Sequence, residues 1–343
     1  MTRFILGQIA KFVLLMLAVS LVTFALVCLS PIDPAQANVG QAAYAAMSDA
    51  KREQLAAYWG SDLPFLERYV NWLGAALQGD LGTSLRFNAP VADVIAARAG
   101  NSLALMAVAW VVSGVLGFGL GIAAGANRGS VVDKAVKGYC YLLASTPVFW
   151  LALVMLVVFS VSLGWFPLGF SVPVGVSAND VTFADALHHM ALPAITLSLT
   201  GVANIALHTR EKTIDVMESE YVKLARARGM STAGIVLHHG IRNLAMPAIT
   251  LQFASIAEIF GGSVLVEQVF SYPGLGQAAV TAGLGGDAAL LAAIAVLSAA
   301  LVFGGNLIAN LLYGAIDPQI AIRDRKPDDK TSDVLSSNGS EAA

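Results

Sequence analysis

The sequence predicts an all-α integral membrane protein of six transmembrane helices, with a helical segment on the outer side between the first and second. Three observations carry that reading. Of 343 residues, 57% are apolar and only 13% charged, with a mean hydropathy of +0.70, a balance rare in water-soluble domains. Apolar runs free of charge and roughly 20 residues long, enough to cross about 30 Å of hydrocarbon, recur along the chain. The charges are crowded between those runs.

The first run, Phe12 to Leu29, follows Arg3 and Lys11. As a secretory leader it would offer Ala35-Gln36-Ala37 for cleavage. Its apolar run exceeds the roughly 7 to 15 residues of a leader, so a retained helix is expected. The other runs are Asn101 to Ala126, Gly138 to Leu163, Met190 to Thr209, Pro247 to Val266 and Ala288 to Ala315. Pro147, Pro193 and Pro247 lie within or at the edge of three of them. Membrane helices tolerate proline because neighbouring helices and Ser/Thr side chains satisfy the freed carbonyls.

Lysine and arginine set the orientation. Two precede the first span, three lie between spans two and three, six between four and five, and four follow span six. The remaining five fall in Ser30 to Gly100, and the other two outer loops hold none. By the positive-inside rule both termini are cytoplasmic. In the outer segment Leu55, Tyr58, Trp59, Leu66, Tyr69, Trp72, Leu73 and Leu77 recur at three-and-four spacing, the pattern of one or two amphipathic helices. These either lay a Trp/Tyr edge at headgroup level or pack over the mouth of the bundle. The tail from Asp324 is too polar to bury a core and is expected to be disordered. The chain thus divides into 1–30, 31–100, a five-helix core 101–322 with a cytoplasmic loop at 210–246, and the tail 323–343.

Several functions are disfavoured. A net charge of -3 with no cluster of Lys/Arg and aromatics leaves no footprint for nucleic acid. Cys28 and Cys140 fall inside spans, where a thiol acts as a small apolar group. His188-His189 and His238-His239 are adjacent pairs whose members point to different helix faces, with no third ligand at metal-site spacing. No metal or cofactor is expected. No G-x-x-x-x-G-K-[ST] loop occurs, so ATP hydrolysis cannot be assigned to this chain and it is not read as an enzyme.

The most informative polar stretch is Glu220-Tyr221-Val222-Lys223-Leu224-Ala225-Arg226-Ala227-Arg228-Gly229, followed by Met230 to Gly234 and a second helical pattern into Pro247. It reads as helix, glycine stop, helix. Tyr221, Leu224, Ala225 and Arg228 share a face, and the small Ala225 and Ala227 would let a partner approach closely. Gly229 suits the left-handed residue that ends a helix, and Arg226 and Arg228 suit its negative end.

This stretch, with Pro247 after it, resembles the cytoplasmic loop of ABC importer permeases, and within them the peptide/nickel permease family. Other segments match in order: Trp72-Leu73-Gly74 with Gly79-Asp80-Leu81-Gly82-Thr83-Ser84, Ser145 to Trp150, Gly164 to Gly169, Leu192-Pro193-Ala194, Gly261 to Glu267, Val269 to Gly276, and Leu312 to Pro318. The likeness covers nearly the whole chain to Ile322, and the long outer segment is similar to the B-type half of the permease pair. It departs at Lys223, where the general loop signature is acidic, and at Asp317-Pro318-Gln319, where arginine commonly follows the proline. The resemblance implies a type I ABC importer permease fold. It also implies that Glu220, Tyr221, Val222, Leu224, Ala225, Arg226, Ala227, Arg228 and Gly229 form a coupling helix docking on an ATPase. The expected partners are a second permease subunit in a heterodimer, two cytoplasmic ATP-binding subunits and an extracytoplasmic solute-binding protein. The expected cargo is peptide, with nickel or another small solute as the alternative.

An ionisable group in hydrocarbon costs about 2.5–3.5 kcal/mol on insertion scales, so Glu258 in the fifth span needs a partner or a water-filled surface. It leads the candidates for a translocation path. Asn204 with His208, and Asn306 with Asn310, are pairs four apart that share helix faces and serve either the path or contacts between helices. Arg210 and Lys212, at the inner boundary, are expected to snorkel. The loop Phe270 to Gly276 reads as a compact turn capped by aromatics or as an arm toward cargo. A proton-coupled carrier with Glu258 as relay is the competing class, but no inverted repeat of the kind such carriers show is evident. An intramembrane enzyme would need a base beside Ser145 or Ser198, and none is at hand.

Overall fold

In the computed structural model, which describes residues 2–59, 63–173, 175–176 and 180–316, four helices are long and apolar enough to cross a membrane unaided. They are α1 (Thr2–Cys28), α6 (Val91–Ala126), α9 (Phe183–Met217) and α15 (Ala288–Ile316). Between α1 and α6 lie α2 (Pro34–Val39), α3 (Gln41–Ala45), α4 (Asp49–Trp59), α5 (Phe65–Ala76) and an antiparallel hairpin of β1 (Thr83–Ser84) and β2 (Ala89–Pro90). α7 (Val131–Ala144) and α8 (Val148–Met155) precede α9, and α8 continues as a π-helical turn, Leu156–Ser162. After α9 come α10 (Glu220–Ala227), α11 (Thr232–Ile235), a π turn at Val236–Gly240, α12 (Ile241–Ala254), α13 (Ile256–Val269) and α14 (Leu275–Leu284). The polar tail and Asp317-Pro318-Gln319 fall outside the described residues.

Two spans expected as single helices are bent. α7 and α8 meet at 105°, because Pro147 has no amide to donate and its ring disfavours the helical conformation at Thr146. At the break the hydroxyls of Ser145 and Thr146 donate back into the last turn of α7, at 2.8 Å to the Tyr141 carbonyl and 2.7 Å to that of Leu142. A 49° bend separates the helical stretch Thr232–Ala254 from α13, and at this break the Ser255 hydroxyl donates to the Gln252 carbonyl at 2.8 Å. Counting each bent pair as one span gives up to six. Pro193 and Pro247 lie inside α9 and α12 without ending them.

α6 and α9 form the central pair. At 1.5 Å per residue each is about 50 Å long, so both overrun the hydrocarbon. α6 starts at Val91 rather than Asn101, because Val91 and Val94 are buried against Leu275, Ala278, Leu290 and Ile294. α9 starts at Phe183, where Thr182 and Asp185 form a reciprocal capping box. Ser113, Gly117, Gly121 and Gly125 recur every fourth residue on α6. A Cβ on Gly117 would lie 2.8 Å from that of Ile205, and one on Gly121 or Gly125 only 2.5 Å from that of Thr209 or Thr213. Small residues at this spacing let membrane helices bring their backbones together.

Of the two alternatives for the outer amphipathic pattern, packing over the bundle accounts for α5. Tyr69 is buried, its hydroxyl 2.9 Å from that of Ser20 on α1. Phe24 joins Phe65, Tyr69 and Trp72 in an aromatic cluster. Leu66 and Leu77 are off that face, 66% and 80% exposed. Buried Asp287 stitches the segment to α15: it caps Leu290 at 3.1 Å and accepts the Ser84 hydroxyl at 2.6 Å and the Arg86 amide at 3.2 Å.

Candidate coupling helix and polar faces

α10 stands at the end of α9 and divides into two faces. Val222 and Ala225 are buried with Met217, Ile235 and Val236 and lie against Ile122, Ala126, Val216 and Met230. Tyr221 and Leu224 are 43% and 55% exposed, and Lys223, Arg226, Ala227 and Arg228 are also exposed. The expected face of Tyr221, Leu224, Ala225 and Arg228 is therefore split. Ala225 turns inward to hold α10 on the bundle, and of the two small residues only Ala227 is open to a partner. Gly229 has φ +81°, the left-handed stop expected. The Met230 amide donates to the Ala225 carbonyl at 3.2 Å and the Gly229 amide to Arg226 at 2.9 Å, the paired bonds of a Schellman motif. Lys223 reaches Glu220 at 2.7 Å.

Just above α10, Arg210 does not snorkel as expected. It is 7% exposed, and its Nε and one Nη grip both oxygens of Asp133, which is 1% exposed; the Nη contact is 3.0 Å. Asp133 also accepts the Gly129 amide at 2.8 Å, and Lys137 lies 3.9 Å away. The other Nη of Arg210 reaches exposed Glu211. Lys212 is exposed and pairs with Asp215 at 3.3 Å. Asp133 was missed in the sequence, although Ser130-Val131-Val132-Asp133 carries the pattern of a capping box, and the Ser130 hydroxyl does accept the Asp133 amide at 3.2 Å.

Asn204 and His208 on α9, Glu258 on α13, and Asn306 and Asn310 on α15 are all exposed. Among the described residues none of the five has a side-chain partner. On α9 the stripe continues: Asn204, His208, Glu211 and Asp215, at spacings of four, three and four, make one bare polar face on a helix otherwise largely buried. On α13 Glu258 shares its bare face with Gly261 and Leu265, while Ile259 and Gly262 pack toward Leu197 of α9. The two polar faces thus belong to helices in direct contact. Glu211 and Asp215 went unnoticed because charge beyond the apolar run reads as loop.

At the opposite end, the Phe270 to Gly276 loop is the compact turn. Phe270 and Tyr272 are buried, and burial, then the neighbouring Glu267, pushes the Tyr272 hydroxyl up to about 12. Glu267 is fully buried. It accepts the Ser102 hydroxyl at 2.6 Å and the Gln277 amide at 3.1 Å, while Ser102 accepts the Leu275 amide at 2.7 Å. One carboxyl thus joins α6, α13 and the start of α14. A Cβ at Gly274 would come 2.4 Å from the Glu267 carboxyl and one at Gly276 2.6 Å from the Val264 backbone, so the close approach requires both glycines. Glu267→Ala is expected to cost at least about 2 kcal/mol, since each buried donor left unsatisfied costs about 1–3 kcal/mol. Glu267→Gln, which keeps one acceptor, is expected to cost less. Thermal unfolding in detergent checks the order. Beside this cluster, rings of His188 and His189 contact the Trp165 and Gly169 carbonyls at 3.1 and 2.9 Å, which gives the adjacent pair a structural use.

Residues 1–106 match the N-terminal model of binding-protein-dependent transport system membrane components, and residues 117–322 match the model of the inner membrane component of such systems. The chain is 34% identical over 323 residues to the oligopeptide transport system permease protein AppB of Bacillus subtilis, covering 93% of this chain and 99% of the relative. It is 28% identical over 338 residues to the dipeptide transport system permease protein DppB of Escherichia coli, with the same coverage of both. A mostly helical span-rich fold, a short helix with one welded and one bare face, and matches over 93% of the chain agree: this chain belongs to the family of inner membrane components of binding-protein-dependent transport systems.

Proposed function

We propose that this chain is the transmembrane permease subunit of an ATP-driven importer that moves peptides across the bacterial inner membrane by alternating access. The names of its relatives support peptide over nickel as cargo. In this reading the two bent helix pairs each make one span, giving six, with both termini cytoplasmic and residues 31–100 outside. A second permease subunit, two ATP-binding subunits and an external solute-binding protein complete the machine.

The observation that carries the proposal is the bare face of α10, with Tyr221, Leu224, Arg226, Ala227 and Arg228 exposed on a helix whose other face is fastened to the bundle. A short rigid helix of this kind suits docking in a groove of a separate ATPase. The unpartnered Asn204 and His208 of α9, Glu258 of α13 and Asn306 and Asn310 of α15 support a water-filled path or a second permease against them, since lipid would leave them without hydrogen bonds.

The test is uptake of labelled trialanine into vesicles holding the co-expressed complex. Uptake is expected to require ATP, the binding protein and an ATPase that co-elutes with this chain. Uptake by this chain alone, driven by a proton gradient and indifferent to the ATPase, would overturn the importer in favour of a carrier.

A further inference from the structure

The buried Asp133–Arg210 pair is unexplained by fold stability. Ion pairs taken out of water seldom repay their desolvation, and apolar residues of similar volume often serve as well or better. Their best-attested use is to fix register. This pair is a two-toothed fork, Nε and Nη of one guanidinium on both oxygens of one carboxylate, a geometry that tolerates neither sliding nor rotation. Asp133 is itself held from behind by the Gly129 amide, where φ is +81°.

Its position gives the register a purpose. Arg210 lies two turns before Met217, the end of α9, at about 1.5 Å per residue, and Met217 packs directly on Val222 and Ala225 of α10. Asp133 lies in the first turn of α7, the first arm of the bent pair whose second arm, α8, packs through Val148 on the core that holds Ile259 of α13. Elsewhere α7 meets α9 through Val136, Cys140 and Leu143 on Val202, Ala203 and Ala206, an apolar surface with no directional bond of its own to fix the register. The ion pair that ties the loop before α7 to the end of α9, Arg128–Glu218, is more than half exposed on both sides and carries little force.

We infer that the Asp133–Arg210 fork is a register lock that makes the bent α7–α8 pair follow α10, so that movement of the coupling helix reaches α13 through α8 as well as through α9. This deepens the importer reading and rests on it. Both residues are positioning residues acting through α7 and α9, not groups that touch cargo or nucleotide.

The experiment uses the whole co-expressed complex. Asp133→Leu with Arg210→Met replaces the fork by an apolar pair that keeps the fold. Spin labels on Leu153 of α8 and Lys223 of α10 report their separation with and without ATP and vanadate. The wild type is expected to hold one separation, and the apolar pair to show a nucleotide-dependent change while its ATPase still co-elutes and hydrolyses ATP. Trialanine uptake per ATP is expected to fall about tenfold in the variant, and Arg128→Gln to behave as wild type. If the double variant does not assemble, Arg210→Lys, which keeps the charge and loses the fork, is judged by the same two readings. An unchanged separation and an unchanged uptake per ATP would overturn the lock. The separation does not depend on cargo, so wild type that fails to take up trialanine counts against the peptide reading and not against the lock.

Discussion

Gly121→Val is expected to prevent the folded chain from accumulating in the membrane, whereas Gly119→Val on the same helix is expected to be tolerated. The two glycines are two residues apart, about 200° around the helix, so they face opposite sides of it and differ in what they meet. A Cβ on Gly121 would sit 2.5 Å from Thr209 Cβ and 2.7 Å from the Ala206 carbonyl oxygen, while nothing lies within 4 Å of one on Gly119. The obstruction is backbone on a helix with 61% of its span window buried, so a rotamer change cannot relieve it. Overpacking a core costs about 1–3 kcal/mol where side chains yield and more where they cannot. Here α6 and α9 would have to separate along their length, which also opens the contacts that carry α7 and α12. Yield of monodisperse protein in detergent, with thermal unfolding of whatever is recovered, checks the contrast. Equal loss at both positions would mean that glycine is needed for helix flexibility and not for close approach.

The second large effect is expected on α10, where neighbouring positions should fail in different ways. Leu224→Asp and Arg226→Glu alter the bare face and should leave the permease folded while weakening ATPase association by about 30-fold or more, the size of an interface hot spot of at least about 2 kcal/mol. Val222→Asp puts a carboxylate in a site of zero exposure, so it should lower the unfolding temperature before it affects docking. Co-elution of the ATPase measured beside thermal stability separates the two. If Leu224→Asp destabilised the chain as strongly as Val222→Asp, α10 would be a buried element and not a docking helix. Gly229 is a poorer probe, because its φ of +81° makes any side chain there a backbone defect as well as an interface change.

Much of this was legible in the chain itself. Long uncharged runs cannot be hidden in water, so the spans follow from composition; the lysine and arginine pattern suggests their orientation. Gly229 announced itself because only glycine occupies the left-handed stop without strain. The spacing of the aromatics put Tyr69 and Trp72 on one helix face, since helical periodicity is local, and left open whether that face packs on the bundle. Pro147 read as a proline tolerated within a single span, and the bend of 105° was not foreseen, because it depends on what α7 and α8 pack against.

What the sequence determined by itself is therefore whatever depends on solvent and local backbone: membrane residence, the rough placement of the spans, and a short helix stopped at Gly229. Only the tertiary structure decided which face of α10 is bare, that Ala225 turns inward, that Arg210 meets Asp133 instead of the membrane surface, and that Glu267 ties three helices together. These are contacts between residues 77 and 165 positions apart. Nothing in the residues' own neighbourhoods records them, because their energy comes from a partner that arrives only when the helices pack.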